Sequence, residues 1–178
     1  NSSAASDVYK RQCTMSGEIK EYLRTGIIRV EDLGELPSEE RLKKKPVCIT
    51  ECIQPIPCDS CYYACKFNAI KMDNINDPPK IDYEKCTGCN LCLRTCPGLA
   101  MFTVGITKDG KGYVTMPHEF EPYPKPGDIV EILGRRGQSL GKARVKFVFP
   151  PEKNDKTALV TVEVDKDLIF EARAIKVM

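Results

Sequence analysis

Tryptophan is absent from the 178 residues and histidine occurs once. With 42% of residues hydrophobic, the apolar material makes a modest core that bound groups would help hold together. The single histidine, His118, has no cysteine or acidic residue at metal spacing, and it is expected to be a surface residue. No apolar run approaches the roughly 20 residues of a membrane helix, and the mean hydropathy is −0.32. No stretch has the charged-then-apolar layout of a secretion signal. The net charge is only +2, which removes the electrostatic case for nucleic acid or an anionic membrane. Ser/His/Asp sets, standout carboxylate pairs, G-x-G-x-x-G and P-loop patterns are all missing. Nothing resembles a substrate site.

Cysteine, by contrast, is plentiful: there are ten, and eight of them fall in two tight runs. "CIQPIPCDSCYYACK" (52–66) spaces them x5, x2, x3. "CTGCNLCLRTCPG" (86–98) spaces them x2, x2, x3 and follows with proline. Disulfide frameworks belong to secreted chains, and no export signal is present. The x2 gaps favour metal.

The second run is an iron–sulfur pattern. A 4Fe–4S cube has four iron corners, and C-x2-C-x2-C lets one loop wrap three of them with Cys86, Cys89 and Cys92. The fourth, Cys96 before Pro97, points away on a helix towards a second cube. Zinc is the alternative, but it closes with four ligands and has no use for three in one loop and one sent elsewhere. The first run is the same pattern with three extra residues in its opening gap.

Around both runs the layout repeats. "VCITE" reads as a strand, followed by the first cysteines, a short helix and "AIKMDNI" as a returning strand. After the "NDPPK" turn come "KIDYE" as strand, the second cysteines, a short helix and "LAMFTVGI" as strand. Two such halves facing each other would bury both apolar faces.

On these motifs, residues 47–105 resemble the bacterial two-cluster (2×4Fe–4S) ferredoxin family. The resemblance implies a βαββαβ fold with crossed ligation: Cys86, Cys89, Cys92 and Cys65 on one cluster, and Cys58, Cys61, Cys96 and one more on the other. Cys52 is the candidate for that last place, since a longer loop closes at small entropic cost and Pro55 and Pro57 stiffen it. Cys48 is the competitor, placed inside the predicted strand "VCITE" where its side chain faces a core. Lys66 stands where the family has proline; it permits ligation and brings a charge near that cluster.

The expected architecture is α+β: the ferredoxin-like βαββαβ domain at 47–105, then a small β-rich, barrel-like domain at 106–178. "DIVEIL", "KARVKFVF" and "ALVTVEV" give its strands, with "GRRGQSLG" (134–141) a hairpin loop. "DKDLIFEARAIKV" closes it with a helical turn and a last strand. Residues 13–46 are an arm of short helical pieces, either packed on its own domain or a docking segment for another subunit. "DVYKRQ" (7–12) is what a sequencing-library transposon adapter encodes, so 1–12 are expected to be non-native, with the natural start at or near Met15.

Residues 47–105 carry five bases and six acids, so with about −2 per bound cluster the loaded domain sits near −5. The partner should therefore offer a basic patch. The arm, the added β domain and the apolar "IQPIP" loop favour a subunit. The whole-chain layout also resembles the small 4Fe–4S subunits of FAD-dependent amine or amino-acid dehydrogenases, of the proline/hydroxyproline and hydrogen-cyanide-synthase-like kinds. That implies a non-catalytic relay of electrons from a flavoprotein through two 4Fe–4S clusters, in a cytoplasm with little oxygen. Two other classes stay open: a free-standing ferredoxin, and a nucleic-acid-binding protein with a structural or sensing cluster, against which stands the lack of an aromatic platform.

Overall fold

Val47, Cys48 and Ile49 are buried in succession, so the first strand of the cysteine segment has both faces covered. The computed structural model describes residues 21–178; the adapter-like segment, Cys13 and Ile19 lie outside them. The chain enters through helix α1 (Glu21–Thr25), a 3-10 turn (Val30–Leu33) and helix α2 (Glu39–Lys44). Ser38 caps α2 by accepting from the Arg41 amide at 3.2 Å, with Glu39 and Glu40 in the first turn and Lys43 and Lys44 in the last.

Strand β1 (Val47–Thr50) follows, then α3 (Ser60–Ala64), β2 (Ile70–Lys71), β3 (Lys80–Ile81), α4 (Leu91–Thr95) and β4 (Met101–Ile106). β1 pairs antiparallel with β4, matching Val47 to Val104, and β2 pairs antiparallel with β3. α3 and α4 pack on each other. The two inner strands are much shorter than "AIKMDNI" and "KIDYE" suggested. Asn74 and Asp77 draw the intervening chain into side-chain-bonded turns instead.

The sheet does not stop at residue 105. β4 has β1 on one edge and β5 (Gly112–His118) on the other. The order runs on through β8 (Ala158–Val164), β7 (Ser139–Phe149), β6 (Ile129–Leu133) and β9 (Ala174–Val177), every pair antiparallel. One apolar cluster extends from Leu42 and Ile49 through Met116 to Val160 and Ile132.

The barrel-like expectation gives way here to an open sheet. Among the described residues no ladder joins β9 back to β5, whose two edges are already taken by β4 and β8. β5 itself was not anticipated. His118, at its end, is 6% exposed rather than a surface residue, with Phe120 and Tyr123 set edge-on to its ring.

The arm packs on its own domain where it approaches the cysteines. Arg41 and Leu42 are buried, and the Tyr83 hydroxyl donates to the Glu35 carbonyl at 3.0 Å.

Candidate metal centres

In loop 86–92, Gly88 and Asn90 both take left-handed conformations, φ 65 and 64. Gly88 is required there, since an added Cβ would meet Pro46 Cγ at 2.6 Å. The Cys86 sulfur accepts from the Cys48 amide at 3.2 Å.

The fourth cysteine of each run sits at the end of its helix, and the chain then makes the same turn twice. The Ala69 amide donates to the Cys65 sulfur at 3.3 Å, and the Ala100 amide to Cys96 at 3.4 Å. Asn68 and Leu99, three residues past each cysteine, both have positive φ, 49 and 51. Lys66 and Pro97 therefore occupy equivalent places in one turn, which does not need the proline.

Cys65 from the first run, and Cys86, Cys89 and Cys92 from the second, line one pocket. Its remaining wall is largely apolar, including Phe67, Ile70 and Ile81, and Cys48 also reaches it. Low polarity and converging thiols suit a sulfur-ligated cluster. Among the described residues all nine cysteines are free thiols.

The other four predicted residues influence one another electrostatically. The Cys52 thiol is pushed up by burial and then by Cys96 and Cys58. Cys61 is raised to about 12 by burial, then by Cys96, Cys92, Cys52 and Cys58. Cys48 responds to a different set, Cys92, Cys86 and Cys61. Cys48 thus faces thiols of both runs, with that of Cys92 at 3.4 Å.

Four charged residues missed by the sequence reading support these loops. Arg41, 4% exposed, donates to the carbonyls of Tyr83, Lys45 and Cys86. Glu51, just before Cys52, accepts at 2.5 Å from both Arg135 and Arg173 with one carboxylate oxygen. Arg173 also lies over the Phe102 ring, 4.7 Å from its centre. The β-rich half is thereby tied to the first cysteine loop through buried charge.

Residues 51–100 match the family model described as "4Fe-4S dicluster domain". The cysteine segment is of the 4Fe–4S ferredoxin type. The matched stretch includes Cys52 and leaves out Cys48.

The chain is similar to the pyruvate synthase subunit PorD of Methanocaldococcus jannaschii, 43% identical over 42 residues, which is 24% of this chain and 48% of that protein. It is also similar to ABC transporter E family member 1 of Arabidopsis thaliana, 28% identical over 115 residues, 60% of this chain and 18% of that one. The chain thus spans about half of the first relative and under a fifth of the second. No solved structure gives a significant match. Among the described residues no helix is long and apolar enough to cross a membrane.

Proposed function

We propose that this chain is an electron-transfer subunit holding two 4Fe–4S clusters, one on Cys65, Cys86, Cys89 and Cys92, the other on Cys52, Cys58, Cys61 and Cys96. The observation that carries the reading is the pocket that gathers Cys65 with the second run's triplet. Crossed completion of the two sites accounts for the presence there of a thiol 21 residues upstream of Cys86. Bound clusters supply one-electron chemistry. The chain's own part is to fix eight thiolates, aim amides at their sulfurs and keep the second site apolar.

The partner we propose is a flavin-dependent amine or amino-acid dehydrogenase, in keeping with the whole-chain layout. Five large apolar side chains are exposed between residues 56 and 75: Ile56, Tyr62, Tyr63, Phe67 and Ile75. Such a grouping next to the centres suits a subunit surface. The likeness to PorD favours a second reading, in which the parent complex is a pyruvate synthase.

Anaerobic purification with iron and sulfide analysis tests the core of this reading. About eight iron per chain is expected, and Cys65→Ser and Cys96→Ser should each disturb a different centre. Zinc or no metal in the freshly isolated protein would sink it. Native extraction separates the partner readings: a flavin-containing complex supports the first, a flavin-free complex with pyruvate synthase activity the second. A lone 19.9 kDa species would indicate a free carrier.

A further inference from the structure

We propose that Cys48, a thiol left over by the two ligand sets, is a positioning residue that raises the reduction potential of the centre on Cys65, Cys86, Cys89 and Cys92 by donating a hydrogen bond to the Cys92 sulfur. The inference rests on the two-cluster reading above and adds a residue that the reading does not use.

Three observations place it. Cys48 is 2% exposed in the middle of β1, opposite Thr103. Its amide donates to the Cys86 sulfur at 3.2 Å, and its own sulfur lies 3.4 Å from that of Cys92. The other acceptors within reach of its thiol, the Ile49 carbonyl and the Met101 sulfur, are both at 3.7 Å.

Between two thiols either sulfur can donate. Once Cys92 ligates as a thiolate it has no proton to give, so Cys48 becomes the donor.

Hydrogen bonds to ligand sulfurs help set a cluster's potential. A donor stabilises the more negative, reduced form more than the oxidised one, so the potential rises. One-electron reduction makes and breaks no bond at Cys48; its proton stays on its sulfur. The device acts on one centre only. In the second half of the repeat the pairing of Thr50 with Met101 is matched by that of Ile81 with Ile70, so Pro79 stands where Cys48 does and offers no side-chain donor. Cys48 therefore makes two similar centres unequal and favours the electron on the centre lined by Cys65.

The test is an EPR-monitored dithionite titration of the anaerobically isolated full chain against Cys48→Ala, Cys48→Val and Cys48→Ser. Every variant retains the residue-48 amide, so only the side-chain donor changes. Ala and Val should keep about eight iron and lower one of two potentials by on the order of tenfold in the reduction equilibrium, about 59 mV for one electron. The other potential should stay, and Ser, with its hydroxyl donor, should retain most of the parent value. The proposal is overturned if neither potential moves, if both move together, or if the shift follows side-chain volume from Ala to Val. Loss of about four iron would overturn it too, by making Cys48 a ligand. A parent protein without iron would defeat the electron-transfer reading itself, a failure distinct from all of these.

Discussion

The guanidinium of Arg41 donates to the carbonyl oxygen of Cys86 at 2.7 Å, inside the turn that opens the second cysteine loop. The same group holds the carbonyls of Tyr83 and Lys45 at 2.8 Å. A flat fork of five donors can serve three acceptors at once, whereas an ammonium cannot. Arg41→Lys should therefore behave nearly as badly as Arg41→Ala. Either variant should lose about 2–4 kcal/mol of stability by anaerobic denaturation, from the buried carbonyls left short of donors. Full retention of stability in the Lys variant would show that the fork geometry is unimportant.

Glu51 joins the two halves of the molecule at one oxygen atom. Arg135 and Arg173 converge on it, and Arg135 also reaches Glu171 at 3.1 Å. Glu51→Gln keeps the shape but leaves two buried guanidiniums facing each other. The expected loss is about 3–5 kcal/mol, the range for breaking a buried ion pair from one side. Because Cys52 is the next residue, iron should also leave one centre faster than the other. Stopped-flow bleaching with a chelator would show the split.

The sequence made the two cysteine runs legible as candidate ligand loops because each is local: the informative residues lie two or three apart. β8 was legible for a similar reason, with Val160, Val162 and Val164 buried in strict alternation. In β7 a bulge between Val145 and Phe147 shifts the phase of the alternation and leaves Phe147 54% exposed. β5 carries Gly112 and Pro117 and is flanked on both edges, so its pattern shows little contrast. The Asp109–Gly110 turn between two apolar runs was the signal available for it. The supporting charges could not be found this way. Arg41 meets Tyr83 across 42 residues, and Arg173 meets Glu51 across 122. Such pairings are set by topology, which local spacing does not contain.

Gly88→Ala tests whether the second loop tolerates any side chain at its left-handed turn. The backbone there has φ +65, and the new Cβ would press on Pro46. Conformational strain and overpacking together should cost about 2–4 kcal/mol. Gly98→Ala is the control, since its Cβ would meet nothing within 4 Å. We expect the first variant to be isolated with only one centre filled and the second with both, by iron analysis and EPR.

His118 should make the fold sensitive to mild acid. Burial holds its imidazole below the ordinary value of 6.5, opposed in part by a hydrogen bond to the Phe120 backbone. Its Nε2 has no partner, so the buried ring is suited to the neutral form. In the unfolded chain the ring takes up a proton near pH 6.5, while in the folded chain it does so only at lower pH. Between those two values the unfolded state binds more protons, so stability present above about pH 6.5 is lost as pH falls towards the folded-state pKa. His118→Leu removes that contribution and should flatten the decline. Anaerobic urea unfolding of both proteins at pH 7.5 and pH 5.5 measures it, because acid effects on the thiolates appear equally in each. An identical drop in parent and variant would mean that His118 titrates alike in both states.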